Sequence, residues 1–163
     1  LLLVARQQGR KLPLVTRHRI SSMIKGKDSD NPIQIDMFTG TKALIVEDIR
    51  VNLMLLTRVL EKLGCIVSSA MNGREAVERL RDGKYDIVFM DCQMPEMDGF
   101  EATRQVRLLE QGTNTHATII ALTADATAGD REKCIECGMD DYLNKPLRND
   151  QLVTIMKKWL PPG

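Results

Sequence analysis

The chain has 163 residues, with 23 Lys plus Arg against 22 Asp plus Glu, and is 43% hydrophobic but only 4% aromatic. That length holds one ordinary domain with an appendage and leaves too little chain for two full domains. A net charge of +1 gives no electrostatic reason to expect nucleic acid or an acidic membrane as partner. No apolar run approaches the roughly 18 residues of a spanning helix, and Leu1–Ala5 is too short for the core of a secretory signal. Four cysteines, at 65, 92, 134 and 137, are too few and too irregular for a disulfide framework. These features lead to the expectation of a soluble, cytoplasmic chain in a reducing compartment. Because it begins with Leu, the chain is expected to be a fragment of a longer protein, which could itself be membrane-anchored.

Residues 1–41 carry a net charge of +4 and residues 42–163 a net charge of −3. The first segment lacks sustained periodicity and contains Gly9, Pro13, Gly26, Pro32, Gly40 and the polar stretch Lys25–Asn31. It is expected to be a basic linker or the end of a preceding domain, although Leu1–Ala5 and Leu12–Val15 could each pair as a strand. His18, in TRHR, has no amphipathic helix around it and is assigned to the solvated linker.

From Lys42 the pattern changes to apolar bursts separated by amphipathic stretches. Ala43–Val46 is a strand that ends in Glu47-Asp48, and Val51–Leu63 is a helix stopped by Gly64. The cycle repeats as strand Cys65–Ala70, helix Arg74–Arg81, strand Asp86–Asp91 and helix Phe100–Gln111. It continues with strand Thr118–Thr123, helix Ala128–Cys137 before Gly138, strand Asp141–Asn144 and helix Arg148–Trp159. Five continuously apolar strands alternating with five helices predict an α/β fold, a doubly wound sheet of five parallel strands over residues 42–160.

In such sheets, chemistry sits beyond the carboxyl ends of the strands. Those ends carry Glu47 and Asp48, then Asp91, then Thr123, with Lys145 following the last strand. Taken singly, each has an ordinary explanation as a cap, a turn residue or a solvated loop. Together, three carboxylates in one crevice call for a shared cation, and hard oxygen ligands of this kind suit Mg²⁺. An ammonium and a hydroxyl at the same rim supply what a phosphoryl group needs, a positive clamp and a hydrogen-bond donor.

The chain from Lys42 to Trp159 resembles the receiver domains of two-component response regulators. The resemblance is carried by Val46-Glu47-Asp48, by the run Met90–Arg104 (MDCQMPEMDGFEATR), by Ala121-Leu122-Thr123-Ala124 and by Gly138–Leu147 (GMDDYLNKPL). It implies a flavodoxin-like (βα)5 fold in which Asp91 accepts a phosphoryl group from a phosphohistidine. It also implies that Mg²⁺ is bound by Asp48, Asp91 and the backbone carbonyl of Gln93, with Glu47 acting through a water. Lys145 would pair with a phosphoryl oxygen. Thr123 and Tyr142 would form the switch that follows, and Pro146 would follow a cis peptide bond. Gln93 and Asp125, two residues after Asp91 and Thr123, would tune hydrolysis.

The wording of the Met90–Arg104 run, together with PLVTRH at 13–18, is similar to receivers at the carboxyl end of hybrid sensor histidine kinases. The implied partners are a histidine kinase core or a histidine phosphotransfer protein, with neither nucleic acid nor membrane contacted by this stretch. Such a fragment would be a phosphoacceptor domain without a kinase core. The alternatives are a free-standing response regulator and an aspartyl-phosphate-type phosphatase. The phosphatase needs a second Asp two residues after its nucleophile as general acid, where this chain has Gln93. Ile49 departs from the usual Asn of related receivers. Cys134 and Cys137 form a C-x-x-C inside a helix without a second pair at zinc spacing, which favours packing over metal or redox work.

Overall fold

The computed structural model describes residues 36–124 and 128–161. His18, the runs Leu1–Ala5 and Leu12–Val15, PLVTRH and Asp125 lie outside them. Ten elements alternate: β1 Lys42–Val46, α1 Arg50–Lys62, β2 Ile66–Ala70, α2 Gly73–Asp82, β3 Ile87–Asp91, α3 Gly99–Glu110, β4 Ile119–Thr123, α4 Ala128–Cys137, β5 Asp141–Asn144 and α5 Asn149–Trp159. The strands form one parallel sheet in the order β2-β1-β3-β4-β5, the flavodoxin-like order.

Strand alternation sorts the core into two layers. Ala43, Ile45, Ile87, Phe89, Ile120 and Leu122 pack with Leu56 and Leu60 of α1 and Leu152, Ile155 and Met156 of α5. Leu44, Val46, Val88, Met90, Ile119 and Ala121 face the other way, onto Ala76 of α2, Ala102 and Val106 of α3, and Cys134 and Cys137 of α4. The three central strands are therefore apolar on both faces. Continuous apolarity does not extend to the edges: in β2, Ile66 is exposed and Ser68 and Ser69 are half-buried, and β5 reads DYLN. An edge strand with one flank in water tolerates this mixture.

The helix starts are locally specified. Asn72 accepts from Glu75 N–H at 2.8 Å to begin α2, and Asp98 accepts from Glu101 N–H at 2.8 Å to begin α3, each satisfying an amide left without an intrahelical partner. At the carboxyl ends of α1 and α4, Gly64 and Gly138 adopt φ of +94° and +98°, the left-handed stop that favours glycine. Residues 36–41 have the composition assigned to the linker but are attached to this fold. Phe38 packs against the α1/α5 layer and its N–H donates to Leu63 O at 2.8 Å.

Two details couple the fold to the rim where β1 and β3 end. Gly99 N–H donates to Cys92 O at 3.2 Å, and a Cβ on Gly99 would overlap the Asp91 carbonyl oxygen. Gly99→Ala is therefore expected to cost about 1–3 kcal/mol by forced repacking, checked by urea unfolding. At the far edge, Asp141 Oδ2 accepts from Lys158 Nζ at 2.6 Å and from Trp159 Nε1 at 2.9 Å, tying α5 to β5. Burial alone would raise the Asp141 carboxyl, but bonds from Lys158, Trp159 and the Tyr142 N–H outweigh it and hold it below its ordinary value. A depressed folded-state value stabilises the fold above the unfolded value, near pH 4. That contribution is lost as pH falls through the folded value. Asp141→Asn is expected to flatten the fall in unfolding free energy on acidification below about pH 5, read from denaturant midpoints at stepped pH.

Candidate functional site

The strand order places β2 and β3 on opposite sides of β1, so the chain leaves β1 in one direction and β3 in the other. The crevice of a doubly wound sheet opens at this reversal, and it is where Glu47, Asp48 and Asp91 stand. One carboxylate oxygen from each of the three lies within 4.8 Å of the others. Glu47 and Asp91 are only 2% and 4% exposed, and Asp48 is partly so.

Lys145 closes the crevice. Its Nζ stands 2.9 Å from Glu47 Oε2 and 3.0 Å from Asp91 Oδ2. The convergence follows from strand parity: Glu47 continues the alternation of Ala43 and Ile45, and Asp91 that of Ile87 and Phe89. Lys145 likewise continues that of Leu143, so all three fall on the α1/α5 side. The loops add backbone donors, with Ile49 N–H to Glu47 Oε1 at 3.1 Å and Gln93 N–H to Asp91 Oδ1 at 3.1 Å.

One ammonium faces three carboxylates, a formal deficit of two positive charges. Burial pushes the Asp91 carboxyl above its ordinary value. Lys145 and the Gln93 N–H pull it back, while Glu47 adds to the rise. Burial would lower the Lys145 ammonium, but its bonds to Glu47 and Asp91 reverse that and hold it above its ordinary value. Hard oxygens at this spacing with this charge deficit suit a divalent cation of the magnesium class.

Thr123 and Tyr142 lie nearby on the opposite parity. Thr123 ends β4, is buried and pairs in register with Asn144 of β5; its carbonyl accepts from Lys145 N–H at 2.7 Å. Tyr142 is half-buried against the α2/α3/α4 layer. The Lys145–Pro146 peptide is cis. Asn144 Oδ1 is buried with no hydrogen-bond partner among the described residues. Cys134 and Cys137 are buried free thiols, and burial pushes both, and Cys92, above the ordinary thiol value. That is the behaviour of packing residues and not of reactive thiols.

Sequence reasoning missed Arg107 of α3. Its guanidinium donates to Gly138 O at 2.8 Å, to Ala117 O at 3.0 Å, to Asp140 at 2.9 Å and to Glu110 at 2.7 Å, at the end of the sheet away from the crevice.

The model of the response regulator receiver domain matches residues 43–157. The chain belongs to this family. The receiver is 44% identical over 129 residues to hybrid signal transduction histidine kinase B of Dictyostelium discoideum, covering 73% of this chain and 7% of that protein. Among the first curated relatives, the receiver spans 7 to 15% of their length. It is 40% identical to the receiver domain of a sensor histidine kinase from Pseudomonas aeruginosa, solved with a magnesium ion coordinated in its active site cleft. That match has a TM-score of 0.67 and covers 74% of this chain and 98% of the other. A co-crystal structure of a Saccharomyces cerevisiae histidine phosphotransfer signaling protein with the receiver domain of its downstream response regulator matches at 33% identity. Its TM-score is 0.70, and it covers 75% of this chain and 90% of that one. No helix among the described residues is long and apolar enough to cross a membrane.

The charge imbalance sets the response to substitution in the presence of a chelator. Lys145→Ala is expected to destabilise the receiver by about 2–3 kcal/mol, less than a fully buried pair because Lys145 reaches solvent. Asp48→Asn, which removes one of the repelling acids, is expected to stabilise it by about 1 kcal/mol. Opposite signs of these shifts in urea unfolding are the decisive result.

Proposed function

We propose that this receiver is the phosphoacceptor of a phosphorelay, taking a phosphoryl group onto Asp91 from a phosphohistidine. The observation that carries the proposal is Lys145 Nζ standing 3.0 Å from Asp91 inside a cluster of three carboxylates. A carboxylate is a weak nucleophile, so this transfer depends on in-line positioning and charge neutralisation more than on proton transfer. An Asp91 oxygen forms the new P–O bond as the P–N bond of the donor breaks. Lys145 pairs with a phosphoryl oxygen, and the buried wall of β1 and β3 restricts water.

Asp48, Asp91 and the Gln93 carbonyl would hold Mg²⁺, with Glu47 acting through a water. When bound, the ion supplies the positive charge that Lys145 alone lacks. Thr123 and Tyr142 form the switch, and Gln93 and Asp125 set the phosphoryl lifetime. Residues 42–160 constitute the receiver and the preceding segment its linker. The parent is a hybrid sensor histidine kinase on the cytoplasmic side, consistent with relatives far longer than this chain. The donor is its kinase core or a histidine phosphotransfer protein. An exposed apolar patch on the entry and first turns of α1, Ile49, Val51, Met54 and Leu55, borders the crevice and is the surface on which that donor docks.

Incubation with acetyl phosphate and Mg²⁺ is expected to add one phosphoryl mass to the receiver, and Asp91→Asn to abolish it. An adduct that survives the substitution, or rapid multiple turnover of a phosphomonoester, overturns the assignment. Met54→Glu and Leu55→Glu are expected to slow transfer from a phosphorylated phosphotransfer protein about tenfold or more, as loss of a central apolar contact does. Uptake from acetyl phosphate should be unchanged.

A further inference from the structure

Tyr142 makes a contact outside the carboxylate site. Its half-buried ring lines the groove between α4 and α5, and the guanidinium carbon of Arg131, on α4, lies 5.7 Å from the ring centroid. A cation at that distance is attracted by the negative face of the ring. The neighbouring charges in this groove are occupied elsewhere: Asp141 is bonded to Lys158 and Trp159, and Asp150 to Arg148. Among the described residues Arg131 forms no ion pair, which leaves its guanidinium available to the Tyr142 ring. The two residues stand on different elements, Arg131 on the helix that follows Thr123 and Tyr142 on the strand beside it.

We propose that Arg131 is the latch that holds Tyr142 in its resting, groove-lining position. This rests on the assignment of Tyr142 as the aromatic that turns inward when the crevice is charged. Turning the ring inward separates its face from the guanidinium, so Arg131 weights the equilibrium toward the resting state. A cation–π contact at an exposed site shifts such an equilibrium by about 2- to 5-fold. Where the inward state is the minor one, apparent affinity for whatever selects it rises by the same factor as its population. Arg131 is thus a positioning residue that sets the threshold of the switch, without touching the phosphoryl group.

The receiver contains two tyrosines, Tyr85 and Tyr142, so 3-fluorotyrosine labelling gives two fluorine resonances, assigned with Tyr85→Phe. In the ligand-free protein, Arg131→Ala is expected to move the Tyr142 resonance toward its position in the beryllofluoride and Mg²⁺ complex. It is also expected to raise apparent affinity for beryllofluoride about 2- to 5-fold. Arg131→Lys, which keeps a cation, should restore part of both effects, and the Tyr85 resonance should stay still. A Tyr142 resonance identical in wild type and Arg131→Ala, or unchanged beryllofluoride affinity in a variant that still binds it, overturns the latch. Failure of the wild type to bind beryllofluoride overturns the phosphoacceptor assignment instead, and the ligand-free resonances then decide the latch by themselves.

Discussion

One ammonium shared between two buried carboxylates organises this molecule. Lys145 reaches Glu47 across 98 positions of sequence and Asp91 in the same crevice. It can do so only when β1, β3, β4 and β5 are assembled in order. The arrangement is costly in isolation, because desolvating two acids opposes folding unless their charge is offset. The apolar strands beneath carry that cost, since the residues that pack them are almost wholly buried.

The two ends of the sheet solve different electrostatic problems. At the carboxyl ends, acids outnumber the cation and the site is left short of positive charge. At the amino ends, Arg107 is nearly saturated: two carbonyls and two carboxylates surround one guanidinium. Its planar fork suits that task better than an ammonium would, and it ties α3 to the segments entering β4 and β5. One pole has its charges paired within the protein, whereas the other has a surplus of acid suited to a further cation.

Much of this was legible in the sequence because it is written in short periods. Runs such as Ala43–Val46 and Thr118–Thr123 mark the strands, and the acids and lysine at their ends mark the crevice. Element ends shifted by a residue or two where side chains decide them, as with Asn72, which starts α2 at Gly73. The polar character of β2 and β5 followed from edge position, which a local pattern does not carry. Arg107 and Arg131 were not legible, because each owes its meaning to partners supplied by other segments. Asp140 and Asp141 illustrate the difference. They are adjacent within a recognisable run, yet one serves Arg107 and His116 while the other serves Lys158 and Trp159.

Strand parity also divides the molecule as a signalling object. Glu47, Asp91 and Lys145 belong to the face covered by α1 and α5, whereas Thr123, Tyr142 and the layer containing α4 belong to the other. The sheet is therefore a partition between the side that holds the acids with their lysine and the side that holds Thr123 and Tyr142. The two sides meet where Lys145 N–H bonds Thr123 O at 2.7 Å, a backbone link joining Lys145 to the end of β4. Substitutions in the layer under α4 therefore need not disturb the acids and lysine on the far side of the sheet, provided that link is preserved.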